Sequence, residues 1–445
     1  MNQHKNLHPI WHILVIVALF FGVQITSYTV FAGTTWTGGD TNITELMNAE
    51  NWDNGMPTNT NPGTITNATI TMTANTTISG TDNICALILG DNAKIKGGYY
   101  HFFPLENISN TEAYFNLTLT GNAKMSTRHF YGGQNTTNIT PIDDEDYVAY
   151  YTFSGNSMLE TNGEYHPARG NITSYTILKD NATITCTTDA LIRADSRMDI
   201  QGGTLKLQWL VNNGTINQTG GTVQIRKNTQ DTGDLQGSGI YNLEGGTFNG
   251  AKIINNMTFT QTGGVLNVSD IFTVGSGSYN FNGGTFSVKN FVGTLTQNGG
   301  IFDPVMGTTI SNGYNVGAGT IQVEIKKDAD GNLVYDTLSV GETIAFTDKS
   351  SIDLLFDASQ FSTGDEFTFL TAGNMTYQNG TDATPETLTT DHIASMMSAY
   401  DSTFWIPTLT DSTLSFSINP NAVPEPATWT LLALAMLGIG YLRRH

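Results

Sequence analysis

A diglycine recurs six times in one stretch of the chain, at 202–203, 220–221, 245–246, 263–264, 283–284 and 299–300, with gaps of 18, 25, 18, 20 and 16 residues. Each pair is followed by the same pattern. The second residue after it is large and apolar (Leu205, Val223, Phe248, Leu266, Phe286, Phe302), and the third is polar (Lys206, Gln224, Asn249, Asn267, Ser287, Asp303). Alternation of this kind is a strand with one face buried. A glycine pair supplies positive φ or a close backbone approach that residues with a Cβ resist. Strands that keep returning to the same corner describe a solenoid, in which every coil rests on its neighbours.

An earlier stretch carries a different repeat. Gly90-Asp91-Asn92-Ala93-Lys94-Ile95 is echoed by Gly121-Asn122-Ala123-Lys124-Met125, Gly155-Asn156-Ser157-Met158-Leu159 and Asp180-Asn181-Ala182-Thr183-Ile184. A polar turn leads to a small residue and then to an inward apolar one. The chain is rich in Gly and only 13% charged, which suits extended strands with Gly turns and not helices. The expected fold is all-β: a parallel β-helix over 60–315, with longer loops near 100–115 and 134–148. At a strand spacing of ~4.8 Å, about ten coils make a rod on the order of 50 Å or longer. The Asn-X-Thr triplets at Asn67, Asn75, Asn116, Asn181 and Asn256 read as Asn at corners and Thr in strands, with glycosylation as the alternative.

Both ends of such a stack need covering, because an open end exposes unpaired strand edges. Thr35-Trp36-Thr37-Gly38-Gly39 and Asn51-Trp52-Asp53-Asn54 predict an N-terminal cap over 33–59, with a short helix near 45–51. The opening resembles that of many secreted bacterial solenoid proteins. From Thr320 the texture changes to alternating segments such as Ile321-Gln322-Val323-Glu324-Ile325 and Leu414-Ser415-Phe416-Ser417-Ile418. This predicts a C-terminal β region over 316–418 that adds coils or seals the stack, and it resembles the terminal β region of autotransporter-type passengers. Thr384-Pro385-Glu386 is a helix-start pattern. One short helix is expected at 386–400, burying Ile393, Met396, Met397 and Tyr400.

The two termini agree on one topology. Lys5, the apolar run from Ile13 and Val30-Phe31-Ala32 before Gly33 form a secretory signal over 1–32, with an uncleaved anchor as the alternative. At the other end, residues 419–445 hold a linker, then Val423-Pro424-Glu425-Pro426, an apolar run from Trp429 to Leu442, and Arg443-Arg444. That run is short of the roughly 20 residues that cross a bilayer comfortably, and tilt or snorkelling by the arginines helps it to span. Basic residues favour the cytoplasmic side, so the body lies outside and the C-terminus inside. This tail resembles the PEP-CTERM sorting signal of Gram-negative bacteria that make exopolysaccharide. Val423, Pro424, Glu425 and Pro426 match the motif, and Arg443 and Arg444 match the basic stop. The resemblance implies recognition by the membrane protease/transpeptidase exosortase, sorting to the cell surface or extracellular matrix, and transient anchoring through a single C-terminal transmembrane helix.

Acidic residues outnumber basic ones 39 to 19, for a net charge of −20. That argues against nucleic acid or an anionic lipid surface as partner, since either needs a basic face. Cys85 and Cys186 sit in apolar strand-like runs and read as two small buried hydrophobes, with pairing in an oxidising compartment as the alternative.

The chain contains no HExxH, G-x-S-x-G, Walker or dinucleotide motif, and the expectation is a non-enzyme with no catalytic residue, metal site or cofactor. Calcium is the one ion in view. Asp328-Ala329-Asp330-Gly331-Asn332 superficially looks like a calcium loop, but its glycine is misplaced and position twelve is Ser339, so a hairpin turn between Ile325 and Leu333 is expected. Asp143-Asp144-Glu145-Asp146 reads as a solvated charge run. Arg193, Asp195, Arg197 and Asp199 alternate with Ala194 and Met198, which on a strand would put all four charges on one face. Glu164, His166 and Arg169 form the other mixed constellation. The best sugar-contact candidates are the aromatics Tyr99, Tyr100, Phe102, Phe103, Phe130 and Tyr131, since exposed rings stack on sugars. The leading expectation is an exported structural or adhesive protein of the envelope or matrix, associated with exopolysaccharide. A β-helix polysaccharide lyase or glycoside hydrolase and a carbohydrate-binding protein are the alternatives.

Overall fold

The computed structural model describes residues 113–132, 147–168, 173–225, 234–380 and 383–422, together with short segments at 34–35, 63–66, 69–71, 76–78, 86–90, 92–96 and 100–102. The signal segment, Trp36, Trp52, the helix expected at 45–51, Tyr99, Phe103, Asp143–Asp146, Arg169, Cys85 and the tail from Val423 lie outside the described residues.

Strands pair in parallel with the strand one coil later, so the chain winds in coils of three strands. A first ladder runs through 113–119, 147–153, 173–178, 197–200, 215–218 and 240–243. A second runs through 94–96, 124–127, 158–161, 183–186, 204–207 and 222–225. A third runs through 100–102, 130–132, 165–166, 189–192 and 209–212. The body is mostly β, and this long parallel arrangement is compatible with the expected solenoid.

The corner between the first and second ladders explains both sequence repeats. The second glycine of each pair has φ between 64° and 77° (Gly203, Gly221, Gly246, Gly264, Gly284 and Gly300). Earlier coils turn at the same place through Gly121 at 61°, Gly155 at 64° and Asp180 at 59°. A Cβ built on Gly155 would lie 2.9 Å from the Gly121 nitrogen, and one on Gly202 would lie 2.9 Å from the Asp180 nitrogen. The two repeats are therefore one column of stacked corners and not two kinds of coil. In the earlier coils the turn is closed by the nitrogens of Ala123, Ser157 and Ala182, which donate to the carbonyls of Thr120, Ser154 and Lys179. Exposed Asn156 and Asn181 donate to Asn122 and Asn156 along it.

The apolar residues that follow each diglycine, from Leu205 to Phe302, are fully buried. Aromatic rings stack along the axis at the strand spacing, as in Tyr241–Phe259, 4.8 Å apart and 6° from parallel. Buried glutamines stand among them. Gln218, Gln261 and Gln297 have no solvent exposure, and each accepts a hydrogen bond from the tyrosine one coil later: Tyr241 and Tyr279 at 2.7 Å, Tyr314 at 2.5 Å. Their amide nitrogens donate to the carbonyls of Thr247, Thr285 and Thr320. Burial pushes the three phenols well above their usual range, so they remain donors.

Parallel pairing continues past residue 315, through 320–324 with 351–355 and through Thr347 with Gln378. The stack is then closed by antiparallel strands, Trp405–Leu409 and Thr413–Ile418, the latter pairing back onto 366–371. Buried Trp405 packs edge-on against Phe361 and Phe367. Helical structure here departs from expectation. Glu386–Thr387 is a short strand, and helix α1 spans Thr390–Met396, started by a capping box between Thr389 and His392. Helix α2 spans Ala399–Phe404. The helix starts later than Pro385 suggests because the hydroxyl of Thr389 accepts from the His392 nitrogen and caps the first turn there. Ile393 and Met396 are buried as expected. Among the described residues no helix is long and apolar enough to cross a membrane.

The other local expectations divide. The hairpin after Ile325 forms, with Lys327 opposite Leu333. Asp328 closes its turn by accepting from the nitrogens of Asp330 and Asn332. Cys186 is a buried free thiol that donates to the carbonyl of Gly163 at 2.7 Å. Asn181 and Asn256 stand at corners, the latter accepting from the Ser276 nitrogen.

Candidate functional site

Period-2 alternation sets what the third ladder shows to solvent. Phe130, Tyr165 and Ala190 point inward and are buried, so His129, Tyr131, Glu164, His166 and Asp189 stand on the outer face over three consecutive coils, where Tyr131 is covered to 8% exposure and the other four are partly exposed. They form one connected cluster. The Tyr131 hydroxyl donates to the Glu164 carboxylate and lies 3.3 Å from His129 Nδ1. That same nitrogen accepts from the Glu164 backbone at 3.2 Å, which fixes the ring. His166 Nε2 is 2.9 Å from Asp189 Oδ2, and its Nδ1 is 4.0 Å from Glu164 Oε2. The imidazole beside Asp189 holds that carboxyl below its usual range. Glu164 thus sits between a phenol and two imidazoles, a set that can hold and pass a proton or accept sugar hydroxyls.

The sequence placed Glu164 and His166 in one constellation with Arg169 and named Tyr131 apart from them, and the coil register brings Tyr131 to the other two. His129 and Asp189 were missed. They stand one residue before the inward Phe130 and Ala190, a position that becomes visible only once strands are aligned coil on coil.

Phe130 requires a correction. It is fully buried and stacks on Tyr165 at 5.3 Å, so it is core and not a sugar platform; Tyr131, 8% exposed and covered by His129 and His166, offers no open ring face either. Tyr100 and Phe102 pair in register with Phe130 and Gly132. The charged series also departs from expectation. Only Arg197–Ile200 is strand, while Asp195 turns at φ 64°. Arg193 and Asp195 therefore stand at a corner, and the face keeps only Arg197 and Asp199, the first donating to the second at 2.8 Å.

Two exposed aromatics escaped the sequence reading. Tyr150 and Tyr175 are 40% and 38% exposed and stack at 5.4 Å on the outer face of the first ladder. Each stands five residues before its corner residue, Gly155 or Asp180, a shared offset that could have found them.

A third polar feature surrounds Asp336. Burial, then the charges of Asp303 and Glu324, push its carboxyl up to about 6, opposed by the hydrogen bond from the Glu324 nitrogen. The folded state therefore holds this proton more tightly than the unfolded chain does. The stabilisation is complete below about pH 4 and is lost as pH rises through about 6. Asp336→Asn is expected to raise stability at pH 7 by about 1 kcal/mol, a figure already discounted for the group's part exposure. At pH 4 it should change almost nothing. Urea midpoints at the two pH values check this, and an equal shift at both would exclude the titration.

Neither a curated protein nor a solved structure matches the chain. Residues 422–444 match the PEP-CTERM protein-sorting motif, the segment that exosortase recognises, and the chain therefore carries the address of an exported, surface-sorted protein.

Proposed function

We propose that this is a non-enzymatic structural or adhesive protein of the cell envelope or extracellular matrix, held in or against exopolysaccharide. The observation that carries the reading is the outer column of the second ladder. Lys206, Gln224, Asn249, Asn267 and Ser287 pair in register, one per coil. A line of one ammonium, three amides and a hydroxyl repeated at the strand spacing offers many weak contacts to a polymer, and avidity then needs no single strong site. The tail supplies delivery: a Gram-negative-type envelope, a short terminal helix in the membrane with its basic end in the cytoplasm, and exosortase as the processing partner.

One observation favours a second reading, a polysaccharide lyase or hydrolase. The linked Tyr131, His129, Glu164, His166 and Asp189 cluster is a plausible acid–base set. One experiment separates the two. The protein released from the producing cells is incubated with their exopolysaccharide, and both co-sedimentation and new chain ends are scored. Binding without new ends is the expected result. New ends that vanish in His166→Ala would replace the structural reading with the enzymatic one.

A further inference from the structure

Across the coils between 222 and 305, the boundary between the second and third ladders opens into a groove of about 660 Å³. We infer that this groove is a binding cleft for a glycan chain lying along the coil axis, a proposal that rests on the exopolysaccharide association above and gives it a place. The groove follows from the backbone. Parallel register shifts where Val268–Ile271 faces Gly250–Lys252 on one side and Val288–Asn290 on the other, so the middle coil takes one extra residue to turn the corner there.

The lining suits a sugar polymer. Gln224, Asn249, Asn267 and Ser287 form the polar side, one per coil. The Asn267 amide donates to the Asn249 carbonyl oxygen at 2.9 Å, which fixes both planes. It leaves the Asn249 nitrogen and the Asn267 oxygen turned to other partners. Amides and hydroxyls with spare donors and acceptors are what the hydroxyls of a glycan require.

The opposite wall is apolar and braced. Val305, 38% exposed, lines it, and Met306 beside it is 60% exposed. The loop that carries them is tied down on three sides: Thr308 Oγ1 donates to Val288, the Gly307 nitrogen donates to Thr337, and Lys289 Nζ donates to the Met306 carbonyl. A wall already fixed loses little freedom on binding.

Charge narrows the occupant. The whole chain carries −20, yet the lining contains Lys289 and no carboxylate. A neutral or weakly anionic glycan is admitted where most of the surface would repel an acidic one. The groove is open, so the occupant is a chain passing through and not a small molecule enclosed.

The test uses the protein released from the producing cells, and exopolysaccharide purified from the same cells as the probe in co-sedimentation. Ser287→Trp fills the groove, and Asn267→Asp adds negative charge to its polar side while the Asn249 amide can turn to donate to the new carboxylate. Both should weaken binding at least tenfold with an unchanged circular dichroism spectrum and melting temperature, while Tyr150→Ala with Tyr175→Ala on the first ladder should bind as the parent does. Full binding by both groove variants would overturn the groove and leave the association standing. Loss in the tyrosine variant alone would move the site to that face. No binding by the parent protein would overturn the association and the groove together.

Discussion

Replacing Gly221 with alanine should remove about 4 kcal/mol of stability, whereas the same change at Gly331 should remove only about 1 kcal/mol. Both glycines have positive φ, 66° and 84°, so each new side chain bears the left-handed strain of ~1–2 kcal/mol. The difference lies in what surrounds them. A Cβ on Gly221 would stand 2.4 Å from the Gly202 carbonyl oxygen and 2.7 Å from that of Gly203. These are backbone atoms of the coil below, and they cannot rotate away. Relief requires prising two coils apart and lengthening the parallel hydrogen bonds on both sides. At Gly331, in the hairpin turn, nothing lies within 4 Å. Urea unfolding of the two variants checks the contrast. Equal losses would mean that φ alone demands glycine and that the corners are not in contact.

The contrast also says what the sequence could and could not reveal. Diglycine spacing and the apolar residue after it were legible because one coil contains all the information: a corner, then an inward side chain. The same holds for the turn at Asp328. Features that depend on two coils were not legible. Phe130 looked like an exposed ring within an aromatic run, and only pairing with Tyr165 one coil on shows that its position is inward. Arg193 to Asp199 looked like a continuous strand, but Asp195 takes the left-handed conformation of a corner. In the earlier coils a single Gly or Asp turns the same corner as the diglycines, so the two halves seemed unlike. Of the candidate cluster, Tyr131, Glu164 and His166 could be singled out by type, but nothing local joins residues more than thirty positions apart.

The buried glutamines are the clearest case of information spread over two coils, and they lead to the second large expected effect. Gln218, Leu243, Gln261, Phe281 and Gln297 succeed one another in one inward column, so polar and apolar residues alternate coil by coil. Each glutamine is tolerable only because a tyrosine from the next coil donates to it and a carbonyl accepts from it. Tyr279→Phe leaves the Gln261 oxygen buried without its donor, and about 2 kcal/mol should be lost. Gln261→Met strips partners from the Tyr279 hydroxyl and from the Thr285 carbonyl, and about 3 kcal/mol should be lost. The double variant removes donor and acceptor together, so it should be no less stable than Gln261→Met alone. A coupling of about 2 kcal/mol in the double-mutant cycle, read from urea midpoints, is the expected signature. Simple additivity would mean that tyrosine and glutamine contribute by packing alone. In that event the two-coil alternation would need an explanation in side-chain volume and not in hydrogen bonding.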